Sequence, residues 1–172
     1  MAEMKHYTLG EYVKLLEEKG MLAEYDLQGK DGEEIKLLTY DSREVTQGTL
    51  FICKGAHFTV DYLLSALDEG AFAYVSEVKY EEAKDTPYIL VKGIRDAMAV
   101  LANFFYNKPW EDLAVIGFGG TKGKSTSTYY MKAVVDDYLA AQDKPESAVI
   151  STIDIYDGKS KVESHITTPE AV

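Results

Sequence analysis

The 172-residue sequence has few features that would direct it to a membrane, an oxidising compartment or a nucleic acid. Its single cysteine, Cys53, cannot form a disulfide within the chain, which favours a reduced, intracellular setting. No apolar run approaches the roughly 20 residues that span a bilayer, and the first residues lack the apolar core of a signal peptide. We therefore expect a cytoplasmic monomer that has no membrane partner.

Positive charge is also scarce. Lysine and arginine total 18, against 29 acidic residues, so the net charge is −11. Nucleic-acid backbones are bound by an excess of basic residues, so this balance argues against nucleic acid as a partner. It does not exclude a small phosphorylated ligand, because such a ligand needs only local hydrogen-bond donors.

Helical and extended patterns alternate along the chain. Apolar periodicity predicts helices at 8–20, 60–70, 94–107 and 124–141, and strands at 35–40, 49–54, 71–77, 88–92, 113–118 and 147–152. A hairpin is predicted over 153–166, with Asp157 and Gly158 at its turn. Cys53 lies in an apolar run and is expected to be a core residue rather than a reactive thiol. The alternation indicates an α/β fold.

The polar segment 107–113, which contains a proline, is the best candidate for a domain boundary. It separates a finished helix from a short and almost wholly apolar run at 113–118. Such runs are typical of strands that are covered on both faces. We therefore predict a small α/β domain at 1–107 and the beginning of a second domain, with a parallel sheet, at 108–172.

Between residues 117 and 124 lie four glycines and two lysines, at the point where the predicted strand gives way to a helix. A strand, a glycine-rich turn and a helix in that order can bind phosphate through exposed backbone N–H groups and the positive end of the helix. Lys124 would supply a point charge to the terminal phosphates of a nucleotide. Ser125, or else Thr126, would offer a hydroxyl to Mg²⁺. The pattern predicts a site for ATP and magnesium.

The generic phosphate-binding loop, G-x-x-x-x-G-K-[ST], fits imperfectly. Five residues before Gly123 stands Phe118, and the additional glycines are at 117, 119 and 120. The alternative is an ordinary glycine-rich turn between a strand and a helix, with no ligand. A lysine and a serine directly after a glycine at a helix start favour the phosphate-binding interpretation.

The loop Gly120–Thr126 resembles the G-T-[NK]-G-K-[ST]-[ST] loop of the Mur ligase family, the ATP-dependent amide-forming ligases of peptidoglycan precursor synthesis and their folate-ligase relatives. Further stretches resemble the type that adds the third peptide residue, the UDP-N-acetylmuramoyl-tripeptide synthetases. They are Tyr40–Arg43 with Gly48–Ile52, Lys54–Phe58 with Asp61 and Tyr62, and Thr167–Glu170. These stretches are distributed over nearly the whole chain, in matching order and spacing.

The resemblance implies two sites. ATP would contact the loop through Gly120, Thr121, Lys122, Gly123, Lys124, Ser125 and Thr126, with Lys124 as the catalytic residue and Ser125 as the metal ligand. The UDP-sugar would contact Tyr40, Asp41, Ser42, Arg43 and His57 at its nucleotide end, and Thr167 and Thr168 at its muramoyl-peptide end. The chain departs from the family pattern at Ile166, where asparagine is usual. On the residues alone, Tyr40–Arg43 and Thr167–Glu170 could also be ordinary turns.

The implied reaction joins a diamino acid to UDP-MurNAc-L-Ala-D-Glu. ATP phosphorylates the terminal carboxylate, and the amine then attacks the acyl phosphate. Such ligases have three domains and are much longer than this chain. We therefore expect an N-terminal fragment that has no ligase activity by itself and that lacks the residues that select lysine or diaminopimelate. Three alternatives remain: another Mur-type ligase, an unrelated P-loop kinase or NTPase with an acidic metal ligand, and a non-catalytic nucleotide-binding module.

Overall fold

The computed structural model describes residues 5–55, 58–164 and 172. These residues form two compact units: unit 1 is residues 5–112 with Val172, and unit 2 is residues 113–164. The predicted domain boundary, between Asn107 and Lys108, lies a few residues before this division. Within the described part of the chain, no helix has both the length and the apolar character needed to cross a membrane.

Unit 1 is built on a five-stranded sheet. Its strands are β1 (Leu22–Asp26), β2 (Leu37–Thr39), β3 (Thr49–Ile52), β4 (Ala71–Ser76) and β5 (Tyr88–Val91), and its α-helices are α1 (Leu9–Glu18), α2 (Val60–Asp68) and α3 (Ile94–Phe105). Short 3₁₀ helices lie at Glu81–Ala83 and Pro109–Glu111. The strand order is β1-β5-β4-β3-β2, with β2 to β5 parallel and β1 antiparallel at one edge. The predicted α/β class is confirmed.

Both faces of the sheet are covered, as its nearly continuous apolar strands require. In β3, Leu50 and Ile52 point into the core formed with α1 and α3, and Phe51 points into a second core that α2 covers. Cys53, the residue after β3, also lies in this second core. It is buried, and burial raises the pKa of its thiol, so the prediction of a core residue is confirmed.

Local chemistry fixes where the helices of unit 1 begin and end. The backbone N–H of Thr8 donates to Glu11 Oε2 at 2.8 Å, which is half of the predicted capping box at the start of α1. The N–H of Ile94, at the start of α3, donates to Glu77 Oε1 at 2.8 Å. After α2, Gly70 has φ of +115°, and a Cβ there would lie 3.1 Å from the backbone N of Gln47, so only glycine fits.

The largest fully buried side chain on α1, Tyr12, has an unusual hydroxyl. The ring makes an edge contact with Phe104 at 5.2 Å between centroids, but the hydroxyl has no hydrogen-bond partner among the described residues. A buried polar group without a partner costs about 1–3 kcal/mol. We expect Tyr12→Phe to raise the melting temperature of unit 1 by several degrees, measured by calorimetry.

The matched control for this prediction is Tyr25→Phe. Tyr25 lies in β1 and is half exposed, so its hydroxyl is solvated and its removal should leave the melting temperature unchanged. A lower melting temperature for Tyr12→Phe would show that the buried hydroxyl stabilises unit 1.

Unit 2 contains one long helix and a small sheet. The helix is α4 (Lys124–Ala140), and the strands are β6 (Val149–Ile150), β7 (Asp154–Tyr156) and β8 (Lys161–Glu163). The three strands are antiparallel, in the order β6-β7-β8. The predicted helix is confirmed, and so is the hairpin with Asp157 and Gly158 in its turn.

The prediction of a strand at 113–118 is wrong. No strand forms there, and Leu113, Val115 and Ile116 are exposed. A parallel strand requires neighbours that satisfy its backbone N–H and C=O groups, and the described residues supply none. Among the described residues of unit 2, the sheet that does form, β6 to β8, is antiparallel, and it is not the parallel sheet predicted for this domain.

Candidate functional site

A cleft of about 550 Å³ opens beside the edge of the unit 1 sheet. It is lined by Tyr40, Asp41, Ser42, Arg43, Lys54, Gly55, Phe58 and Tyr62. The first four follow β2, and Lys54 and Gly55 follow β3. Because β2 and β3 are adjacent and parallel, the loops after them leave the sheet at the same edge, which is where α/β sheets commonly bind ligands. The structure thus brings together four of the residues predicted for the UDP-sugar site.

Asp41 and Arg43 form a bidentate pair at the mouth of the cleft. Arg43 Nε donates to Asp41 Oδ1 at 2.8 Å, and Arg43 Nη2 donates to Oδ2 at 2.5 Å. The backbone N–H of Arg43 also donates to Oδ1, at 3.0 Å, closing a local turn. These hydrogen bonds from Arg43 lower the pKa of Asp41 to about 2. The carboxylate therefore stays charged at neutral pH, orients the guanidinium and offsets part of its charge.

Four further residues of the cleft, Lys54, Gly55, Phe58 and Tyr62, were given no role from the sequence. Lys54 Nζ lies 4.7 Å from the centroid of the Tyr40 ring, a cation–π distance. Phe58 and Tyr62 add an aromatic wall, with ring centroids 6.3 Å apart. The available signal was their position in the same resembling stretch as His57. The cleft thus combines a cation, hydroxyl groups and aromatic rings, a set suited to phosphate and to a planar base.

Three predicted residues fall outside the described part of the chain. They are His57, Thr167 and Thr168, all assigned to the UDP-sugar. Their assignment stays a prediction.

The glycine-rich loop lies in unit 2, directly before α4. The helix begins at Lys124, and Gly123 precedes it with φ of +78°, a left-handed conformation that favours glycine. Gly120 has φ of +147°, and no atom of the described residues lies within 4 Å of a Cβ placed at Gly119 or Gly123. The loop from Gly119 to Gly123 is exposed, as a phosphate-binding turn must be.

The side chain of Lys124 returns over this loop, and its Nζ donates to the carbonyl oxygen of Gly120 at 2.8 Å. The ammonium group is thereby held above the turn, where its charge adds to that of the helix N-terminus. Thr121, Lys122 and Thr126 are exposed in or just after the loop. The residues predicted for ATP are thus contiguous around one helix start.

Ser125, the predicted magnesium ligand, stands in the first turn of α4. Its Oγ lies 3.1 Å from Oγ1 of Thr152, which follows β6. Hydroxyl oxygens are hard donors of the kind Mg²⁺ accepts, and Mg²⁺ usually takes its other ligands from phosphate and water. Within the described residues, no group of three or more His, Cys, Asp or Glu side chains could hold a metal alone. This donor set fits magnesium that arrives with a nucleotide.

An unrelated P-loop NTPase would need an acidic metal ligand on a nearby strand, and the segment 147–154 offers only Asp154. It is buried, and its carboxylate accepts hydrogen bonds from the Tyr129 hydroxyl and from Lys161 Nζ, the latter at 2.5 Å. The ion pair with Lys161 is the main reason that the pKa of Asp154 is lowered. The carboxylate is committed to this network, which weighs against the kinase alternative.

Curated proteins of similar sequence carry two names, an L-lysine ligase and a tripeptide synthetase. An L-lysine-adding UDP-N-acetylmuramoyl-L-alanyl-D-glutamate ligase of Enterococcus faecalis is 46% identical over 140 residues, covering 81% of this chain and 27% of that protein. A UDP-N-acetylmuramyl-tripeptide synthetase of Lactobacillus delbrueckii is 35% identical over 168 residues, covering 96% and 32%. The corresponding L-lysine ligase of Streptococcus pneumoniae is 43% identical over 136 residues, covering 78% and 27%. The chain therefore spans about a third or less of the length of these relatives.

Solved structures with a similar fold are also ligases. MurF of Acinetobacter baumannii matches with a TM-score of 0.59 at 19% identity, covering 79% of this chain and 29% of that one. A D-alanyl-D-alanyl-adding ligase of the same organism matches with a TM-score of 0.56 at 20% identity and the same coverage. At this level of identity the likeness establishes the fold alone. No protein family model matches the chain.

Proposed function

Because the chain belongs to the Mur ligase family, we propose that it forms part of an ATP-dependent ligase that adds a diamino acid to UDP-MurNAc-L-Ala-D-Glu. Unit 1 would bind the UDP part of the sugar nucleotide, and unit 2 would bind the phosphates of ATP. The observation that carries the proposal is the cleft of unit 1, in which separate stretches resembling the tripeptide synthetases converge. The chain spans only part of its relatives, so this activity belongs to the whole protein.

The proposed reaction has two steps. Transfer of the terminal phosphate of ATP converts the glutamate carboxylate into an acyl phosphate and releases ADP. The amine of the diamino acid then attacks the acyl carbon, and phosphate leaves as the amide forms. Carboxylate is a poor electrophile, so the first step supplies the leaving group that the second step requires. The names of two relatives make L-lysine the first amine to test.

Each site would contribute binding and orientation. Lys124 and the loop N–H groups would hold the transferring phosphate and offset its charge, and Ser125 would hold Mg²⁺, which neutralises phosphate charge when bound. In the cleft, Ser42 and the Asp41–Arg43 pair would bind the uridine or pyrophosphate. Holding both substrates in place converts a bimolecular encounter into an effectively unimolecular reaction within one complex.

The main alternative is another Mur-type ligase, and the solved structures do include ligases that act at a different step. Their identity to the chain is 19–20%, against 35–46% for the curated relatives above. This difference favours the tripeptide synthetase. A panel of UDP-MurNAc substrates and amines, given to the full-length protein, distinguishes the two.

The sugar-nucleotide site is tested by Ser42→Ala in the full-length protein. Loss of one hydrogen bond in a cleft typically costs about 1 kcal/mol, so the KM for the UDP-sugar should rise about five- to tenfold. The KM for ATP should stay unchanged, because the glycine loop belongs to unit 2. Steady-state kinetics with each substrate varied separately measure both values.

Ser65→Ala is the control, since Ser65 is exposed on α2 in the same unit and outside the cleft. It should alter neither KM. Equal increases in both KM values for Ser42→Ala would contradict the division into two sites.

A further inference from the structure

Thr152 lies beside the hydroxyl that the proposed function assigns to magnesium. Its Oγ1 is 3.1 Å from Ser125 Oγ, although the two residues are 27 positions apart in the chain. Thr152 lies in the short turn between β6 and β7, and Ser125 in the first turn of α4. Within unit 2, a hydroxyl from the small sheet therefore reaches the start of the helix.

The side chain of Ser151 stabilises the turn that contains Thr152. The Oγ of Ser151 accepts hydrogen bonds from the backbone N–H groups of Ile153 and Asp154, at 3.1 and 3.2 Å. These bonds fix the backbone immediately around Thr152. Ser151 is itself buried, which holds the turn in place within unit 2.

A second set of contacts ties this turn to α4. The Tyr129 hydroxyl donates to Asp154 Oδ1 and lies 3.2 Å from Ser151 Oγ. Tyr129 is four residues after Ser125, so both project from the same face of the helix. Ser125 thus contacts Thr152, and Tyr129 contacts Ser151 and Asp154 on either side of it. The contacts of Tyr129 therefore help to fix the distance between Thr152 and Ser125.

A hydroxyl has one proton and two lone pairs, which limits what Ser125 can do. An oxygen that gives a lone pair to a cation must direct its proton away from that cation, and the proton then requires an acceptor. Thr152 Oγ1 is within hydrogen-bond distance and can accept it. The carboxylate nearest to Thr152 in the sequence, that of Asp154, already binds Tyr129 and Lys161.

We infer that Thr152 is a positioning residue, which accepts the hydroxyl proton of Ser125 and so directs a lone pair of Ser125 toward the metal bound with the nucleotide. This inference rests on the proposed function, because it needs ATP and a divalent cation at the glycine loop. In this arrangement the neutral hydroxyl group of Thr152 orients the hydroxyl group of Ser125, which binds the metal.

The test is Thr152→Val in the full-length protein, which removes the acceptor and preserves the shape of the side chain. The dissociation constant of a non-hydrolysable ATP analogue is measured by calorimetry with Mg²⁺ and again with EDTA. We expect affinity with Mg²⁺ to fall about tenfold, while affinity in EDTA stays at the wild-type value. Electron paramagnetic resonance with Mn²⁺ should show a matching loss of bound metal in the presence of the analogue.

Thr152→Ser is the matched rescue, since it keeps the hydroxyl, and it should restore both measurements. Thr152 is exposed, so neither change should disturb folding, which circular dichroism verifies. Equal affinity of wild type and Thr152→Val with Mg²⁺, or an equal loss in EDTA, would overturn the positioning role and leave the proposed function standing. A wild-type protein that binds no ATP would overturn the proposed function, and this inference with it.

Discussion

Replacement of Lys124 by alanine in the full-length protein is expected to lower kcat/KM for ATP by about 100- to 1,000-fold, the usual cost of removing one electrostatic donor from a reacting centre. The Nζ of Lys124 is held over the glycine loop, 2.8 Å from the carbonyl oxygen of Gly120. An ammonium group at that position can move from a neutral carbonyl to a charged phosphate with little change in the backbone. Alanine supplies neither the positive charge nor the length of the lysine side chain.

The effect should be confined to the ATP half of the reaction. UDP-sugar affinity, measured by calorimetry without ATP, should match the wild type, because the cleft belongs to unit 1. Lys159→Ala is the control, since Lys159 is an exposed lysine in the turn between β7 and β8, away from the loop in sequence. Retention of normal ATP turnover by Lys124→Ala would refute the proposed role of this lysine.

The arginine substitution separates charge from shape. Lys124→Arg keeps the positive charge but replaces a compact ammonium group with a planar fork. If charge alone matters, this variant should recover most of the lost rate. We expect only partial recovery, because a planar guanidinium group cannot reproduce the single 2.8 Å contact that the compact ammonium group makes with the Gly120 carbonyl oxygen.

The sequence predicted unit 1 well, because its signals are local and its core is complete. The stripe of Leu9, Tyr12, Val13 and Leu16 predicts a helix face, and all four residues are buried. The alternation of helices and strands predicts the α/β class, which the parallel strands β2 to β5 and their helices confirm. The strand that was missed, β1, has four exposed residues out of five and is held by antiparallel pairing with β5. An edge strand of this kind carries almost no apolar pattern, so only its partner reveals it.

The error at 113–118 has the opposite origin. An apolar run of this length predicts a strand, but a strand forms only where neighbouring strands satisfy its backbone N–H and C=O groups. Among the described residues, such neighbours are absent for Val115 and Ile116. Apolarity therefore predicts that a segment will be buried against something, and it does not establish what the partner is.

The candidate sites divide in the same way. Contiguous residues such as Lys124 and Ser125 could be found from spacing along the chain alone. Lys54 and Tyr62 join the cleft only because β2 and β3 are adjacent, and Thr152 reaches Ser125 only because the small sheet packs on α4. Proximity across elements depends on the fold, which explains why resemblance to a motif predicted the candidate sites but not all of the residues that line them.

The contrast between the units predicts a large difference in protease resistance. Of the 29 buried apolar side chains among the described residues, 28 lie in unit 1 and one, Val149, lies in unit 2. The helix α4 buries no residue fully, and Tyr130 and Val134 on it are 74% and 66% exposed. Apolar burial is the main favourable contribution to folding, so unit 2 of the 172-residue chain should open far more often than unit 1.

Polar contacts do not compensate for that deficit. Lys132 pairs with Asp136 at 2.5 Å and with Glu146 at 3.3 Å, but pairs near a surface contribute little to stability. Brief digestion of the 172-residue chain with thermolysin, followed by mass spectrometry, should therefore cleave the region after Asp112 first and leave a fragment that ends near that residue. Leu101→Ala, which truncates a fully buried residue of unit 1, should make that fragment labile as well. Equal resistance of both units would contradict the prediction, because it would require unit 2 to be stabilised by something other than buried apolar surface.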